Sequence, residues 1–479
     1  MPVSGAGQQS WLASEEHGGQ KAHVPAYRKK WVLIVAAGLV VVVGAGAVLA
    51  WTLWPGYRAL DFQSLDKSPA VTIPAAVKFS SNFADTTIVG DRVYYATEAD
   101  EGVLGVVAAE ADTGKKLWSG TDAGLATGWD QIVGLPDGLA AITDTDSGSD
   151  SKRLVVLDRK TGKARWQHTM KGNDGAVFVG GNAVVVDTAG KRLVALRVSN
   201  GGTAWELADP ASDSSVVPAL FTSSTSDDVS GPARVSGAPF APDRGDDTRL
   251  LQVMGDRSAR VIDAKDGTVL VEPKADIADA DGAVAVHNGR VVVAEESGNT
   301  LRILAYDLDS LGNPKVLGQV AKEQRIQRMA PCGDDYVCWV ETASFDEKTA
   351  RVAGINVADG GKIWRVALPN AESLTPVGDN VLVNQSTQPA KATLVDATTG
   401  KVQWSGEGAG ARLDGGNVLL FSRALSTSAE DPSLLGRHLG DDPVQLGPLS
   451  GVRTASCSWN TEAIACVADE DLRWQRIAK

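Results

Sequence analysis

A glycine followed four residues later by tryptophan recurs along this chain, and it constrains the fold more than any other feature. Gly114 precedes Trp118, Gly162 precedes Trp166, Gly201 precedes Trp205, Gly360 precedes Trp364 and Gly400 precedes Trp404. Gly267 stands in the same setting with Val271 at the tryptophan position. Successive glycines lie 48, 39, 66, 93 and 40 residues apart. Self-similarity at a period of roughly 40–50 residues marks propeller blades or a comparable array.

Weaker copies fill the gaps. Tyr306-Asp307-Leu308-Asp309 leads to Gly312 with Val316 four residues on, and Gly440 precedes Val444, which gives eight units. The 66-residue gap holds one period plus an insertion from Asp209 to about Asp247, rich in Ser, Asp, Pro and Gly, which reads as a surface loop. Each unit is written as strands. In Leu154–Asp158, Arg159–Gly162 and Lys163–Trp166, an apolar β-branched run enters a tight turn and a second strand leaves it. Glycine supplies the positive φ that such a turn needs. A further strand pair lies upstream, as in Val377-Gly378-Asp379-Asn380-Val381, so each unit holds about four antiparallel strands with almost no helix. Four-stranded units repeated radially make an all-β propeller. The tryptophans are expected on the outer strands, packed between blades with the indole N–H on a backbone acceptor.

The Asp-x-x-Thr-Gly-x-x-x-Trp pattern, intact at Asp158–Trp166 and Asp396–Trp404, resembles the repeat of PQQ-like β-propellers. These comprise quinoprotein dehydrogenases and non-catalytic relatives, including the BamB type. The resemblance covers roughly residues 75–479 and implies eight blades; seven blades or a partial ninth are the alternatives. Val452–Trp459, Ala463–Ala468 and Leu472–Ile477 add three strands, which a strand near Ala70–Phe79 can join to close the ring. The enzymes of the family hold quinone beneath a ring of two adjacent cysteines. This chain has no adjacent cysteine pair, so no catalytic, cofactor-binding or metal-binding residue carries over.

Residues 31–54 form an uncharged apolar run, long enough for one transmembrane helix. Trp31, Trp51 and Trp54 suit the interfaces, and Arg28, Lys29 and Lys30 direct the N-terminus to the cytoplasm. The expected organisation is a disordered tail at 1–30, the span at 31–54, a stalk at 55–74 and an extracytoplasmic propeller at 75–479. A signal peptide cleaved after Val48 and Ala50 is the competing reading; its apolar region would be unusually long. Residues 1–54 carry +2 of a total of −13, leaving −15 beyond them. An acidic ectodomain disfavours nucleic acid as a partner. High Ala, Val, Gly and Asp content suggests a bacterium of high-GC lineage.

All four cysteines follow the span. Cys332 and Cys338 flank a short hairpin loop, and Cys457 and Cys466 are placed symmetrically about Thr461–Glu462, so both pairs permit local disulfides. The histidines are scattered, with His168 and His287 expected in solvated positions. Asp144–Asp150 has calcium-loop character but lacks the acidic twelfth residue. Gly180-Gly181 and Gly201-Gly202 sit in hairpins rather than before helices, so they are not phosphate loops. The expected function is a non-catalytic binding or scaffold module for a protein, peptide or envelope ligand. A divergent quinone-dependent dehydrogenase and a sensor signalling through a cytoplasmic partner are the alternatives.

Overall fold

The computed structural model describes residues 57–211, 216–230, 247–344 and 346–479. The expected tail, the span at 31–54 and the start of the stalk lie outside the described residues, as do positions 212–215 and 231–246 of the insertion. Among the described residues, no helix is long and apolar enough to cross a membrane.

The described chain forms nine antiparallel sheets. Eight are consecutive: blades 1 to 8 run over residues 79–120, 129–171, 176–208, 219–274, 284–321, 324–367, 371–407 and 409–448. Blade 9 takes its first three long strands from Val452–Trp459, Ala463–Ala468 and Asp471–Arg476 and its outermost strand from Val71–Pro74, and the two-residue strand Ala429–Glu430 pairs with the free edge of Val452–Trp459 as a fifth. Burial explains the sequence of each strand. The second strand of blade 2, Gly138–Thr143, is buried at every position because both faces meet neighbouring blades. Its outermost strand, Ala164–Lys171, is largely exposed.

Nine hydrophobic clusters lie at the junctions between successive blades, one for each junction around the ring. The cluster joining blade 9 to blade 1 unites Ile73, Ala465 and Trp474 with Ile88, Tyr95 and Val107, so the circle is closed. Closure leaves no blade with an uncovered face. The count of eight is therefore corrected to nine. The glycine motif marks the turn between the third and outermost strands, and blade 9 has no such turn because its outermost strand arrives from the other end of the chain.

The turn itself accounts for the motif. Asp158 Oδ1 accepts from the backbone N–H of Lys160 (2.9 Å) and Thr161 (2.8 Å) and from Thr161 Oγ1 (2.9 Å). Gly162, at φ +70, donates back to Asp158 O at 2.9 Å. The Arg165 guanidinium at 2.7 Å, helped by Thr161 and against the effect of burial, holds the Asp158 carboxyl well below the usual carboxylate range. In blade 5 the left-handed residue is Leu311 (φ +46), which donates to Asp307 O, so the weak copy lies one residue before the expected Gly312.

The insertion is also corrected. Ala219–Thr222, within the expected loop, is the innermost strand of blade 4, and the inserted segment joins that strand to Arg249–Val253 of the same sheet. It carries one short helix, α1, at Ser226–Ser230.

Candidate functional site: the central channel and its stoppered mouth

The repeat residues meet between blades rather than within them. A Cβ added to Gly162 would lie 2.5 Å from the Trp118 ring of the preceding blade; Gly201, Gly267 and Gly400 receive Trp166, Trp205 and Trp364 in the same way. The indoles donate to the receiving blade: Trp118 to Arg159 O (2.9 Å), Trp166 to Val198 O (2.8 Å), Trp205 to Ala264 O (3.0 Å) and Trp364 to Ala397 O (2.7 Å). Each ring thus fills a seat that only glycine leaves open. At Gly360 no ring is present, and the backbone of Leu317 approaches instead. Gly440 has nothing within 4 Å of its added Cβ, and Trp404 lies instead under the Arg437 guanidinium, 5.2 Å from the ring centre. The cysteines pair as Cys332–Cys338 and Cys457–Cys466, with Cα separations of 5.7 and 4.1 Å.

One seat was not legible from the motif. Trp474, on the third strand of blade 9, occupies Gly114 of blade 1 and donates to Ala111 O at 2.9 Å. It pairs across the sheet with Val71, whereas Trp166 on an outermost strand pairs with Val156 on a third strand. The large and small partners have exchanged strands. Phe62 performs a related task at blade 8, where its ring lies against the Gly436 backbone opposite Val444.

Innermost strands line the central channel, and the segment after blade 4's first strand stoppers one mouth. Ser224 bridges in parallel to His287 of blade 5, its N–H donating to Val286 O at 3.2 Å and its Oγ lying 2.8 Å from His287 Nδ1. Asp228 caps α1 by accepting from the Thr225 N–H (2.7 Å) and Oγ1 (3.0 Å). Asn288 Nδ2 donates to Asp334 O of blade 6 at 2.9 Å, and Val229 O, on a fully buried residue, accepts from Gly378 N of blade 7 at 3.3 Å. The segment therefore reaches from blade 4 to blade 7. Tyr57 and Arg58 enter on the same side: Asn417 of blade 8 donates to Arg58 O at 3.0 Å.

The expectation of a solvated His287 is corrected. The residue is 5% exposed, and burial lowers its pKa against the opposing fields of Asp334, Asp228 and Asp335. Burial likewise pushes the Arg412 guanidinium down to about 10, against Asp414, Tyr57 and Asp228. A neutral imidazole and a largely enclosed cation thus face the stopper. Beneath it, Phe221, Thr222, Val286, Arg328, Pro331 and Leu374 line a cavity of about 280 Å³.

A family model described as "Outer membrane protein assembly factor BamB" matches residues 103–308 and 331–427. The chain belongs to that family. BamB from Moraxella catarrhalis is similar at 13% identity, with 85% of this chain and all of that one covered, at a TM-score of 0.42. Apo AztD from Citrobacter koseri is similar at 11% identity, covering 76% and 97%, with the same score of 0.42. The designed Ika8 protein is similar at 12% identity, covering 88% and 100%, again at 0.42. No curated protein matches the chain.

In this BamB-family chain, no cluster of His, Cys, Asp or Glu suited to a metal ion occurs among the described residues. Asp146 turns inward on its own loop, accepting from Gly148 N at 2.9 Å and Ser149 Oγ at 3.0 Å. Sequence reasoning missed Trp474, Phe62 and the Ser224–His287 contact because each joins residues from different repeats. The signal for Trp474 was its position in a C-terminal apolar strand.

Proposed function

We propose that this chain is a membrane-anchored, extracytoplasmic propeller that acts as a non-catalytic scaffold for a protein of the cell envelope. The single observation that carries the reading is the stopper. With the Ser224–Ser230 segment lying across one mouth from blade 4 to blade 7, the loops of the opposite face offer the freer surface for recognition. The exposed Leu125 (61% exposed), Val216 and Leu425 all lie on loops of that face. Exposed apolar side chains at the edge of polar loops suit protein contact. Family membership supports the same reading, since its description is that of an assembly factor. Anchoring rests on the uncharged apolar run at 31–54 and the Arg28, Lys29 and Lys30 that precede it.

Photo-crosslinkers at Leu125 and Leu425, compared with crosslinkers at Asp91 and Asp379 on the stoppered face, test the proposal in intact cells. Discrete protein adducts from the first pair are expected. Equal, diffuse labelling from all four sites would refute a dedicated open-face partner. Loss of the chain from the membrane fraction when residues 31–54 are deleted checks the anchor.

A further inference from the structure

The cavity beneath the stopper, of about 280 Å³, is walled by the innermost strands of blades 4 to 7. Phe221, Val284, Val286, Met329, Pro331 and Leu374 make most of that wall apolar. Val284, Val286 and Leu374 are buried in the junction cores, which fixes their part of the surface. Arg328 is the only charged side chain among the described residues of the wall. It is exposed, and its guanidinium has no ion pair or hydrogen bond among the described residues.

Backbone irregularity puts Arg328 there. The innermost strand of blade 6 shifts register between Ile326 and Arg328, and exposed Gln327 and Arg328 follow half-buried Ile326. That of blade 7 shifts between Ala371 and Ser373. An extra residue bends a strand and re-aims the side chains beside it, which brings Arg328 and Ser373 into one wall. The innermost strands of blades 4 and 5 pair without a shift and supply only uncharged residues. Arg325 and Glu372, on the two shifted strands but outside the wall, offset each other in charge. The charge left at the cavity is that of Arg328.

A guanidinium presents paired N–H donors in one plane, matched to the two oxygens of a carboxylate. The Ser373 hydroxyl can add one further hydrogen bond. The remaining wall favours apolar surface. We propose that this cavity binds a small monocarboxylate with an aryl or branched-alkyl body, its carboxylate on Arg328 and Ser373 and its body against Phe221, Met329 and Leu374. One cation does not neutralise a dianion such as phosphate, and acetate leaves the apolar wall unfilled. The volume is close to the lower end of the range for small-molecule sites, about 300–1,000 Å³, and suits one small ligand rather than a length of peptide. The site lies on the channel wall, not on the open-face loops, and stands without the scaffold reading.

Met329 supplies the reporter, because the chain has only four methionines, Met1, Met170, Met254 and Met329. Methyl NMR of the full chain in detergent, labelled at methionine and assigned with Met329→Leu, is titrated with hydrocinnamate, its neutral amide, acetate and inorganic phosphate. Hydrocinnamate is expected to move the Met329 signal while leaving that of Met170 on blade 2 in place. It should bind at least about tenfold more tightly than each control. Arg328→Met should weaken it by about tenfold or more and flatten its salt dependence, and Arg328→Lys, which keeps the charge without the fork, should fall between. Ser373→Asp should weaken it comparably to Arg328→Met by placing a competing carboxylate in the cavity. Arg328 is exposed and Ser373 half-buried, so these variants should keep the melting temperature of the unaltered chain. A Met329 signal that does not move, equal or tighter binding of the amide, acetate or phosphate, or unchanged affinity in Arg328→Met would each overturn the proposal.

Discussion

The junctions among blades 1 to 4 and the junctions among blades 7, 8, 9 and 1 solve one packing problem by different means. In the first group each outer-strand tryptophan sits on the next blade's glycine and bonds to the carbonyl behind it. In the second, Trp404 lacks a glycine seat, Phe62 is brought in from outside the repeats, and Trp474 reaches its seat from the wrong strand. Identical neighbours can share one local rule. The place where the circle is joined must use whatever the two ends of the ring supply.

The largest effect is expected at the closing seat. Trp474→Ala removes a buried ring and its hydrogen bond and should cost about 3–5 kcal/mol, read as a lowered denaturation midpoint. A cost equal to that of Trp404→Ala would break the comparison. Next, Gly114→Ala places a methyl 2.8 Å from the Trp474 ring at φ +68, whereas Gly440→Ala meets nothing within 4 Å. The first should cost about 2–4 kcal/mol from strain and overpacking together, the second about 1–2 kcal/mol from strain alone. Trp404→Ala is smaller again, about 1 kcal/mol, because its ring is half-buried and held by a cation–π contact; a scan alongside Trp205→Ala checks it.

The smallest effect concerns pH at the stopper. Burial lowers the folded pKa of His287 below the ordinary imidazole value of about 6.5. The unfolded chain therefore binds the proton first, and the stability that the neutral imidazole contributes, complete above that value, declines as pH falls through the folded pKa. The loss is no steeper than about 1.4 kcal/mol per pH unit. Unfolding titrations at successive pH values, with His287→Gln lacking this component, are the measurement.

The fold was legible where structure is local. Asp158, Thr161, Gly162 and Trp166 lie within one hairpin, and their spacing in sequence is their geometry in space. Gly312 was misplaced by one residue because Leu311 adopts a conformation usually left to glycine. The ninth blade escaped counting because its third and outermost strands, Asp471–Arg476 and Val71–Pro74, share no turn. Of the candidate site, little could be read. His287 before a hairpin turn looks solvated until a segment from blade 4 covers it, and the gap in period that announced the insertion says nothing of where the chain goes.

Closure also sets a schedule. Val71–Pro74 is made some 400 residues before the strand it pairs with, Asp471–Arg476. A chain threading outward during synthesis carries an early strand with no partner until nearly all the rest has been delivered. Until then the apolar flank of blade 1, with Ile88, Tyr95 and Val107, stays bare. The molecule has therefore to be kept from aggregating until its ninth blade is made, and the strand that carries Trp474 decides when that exposure ends.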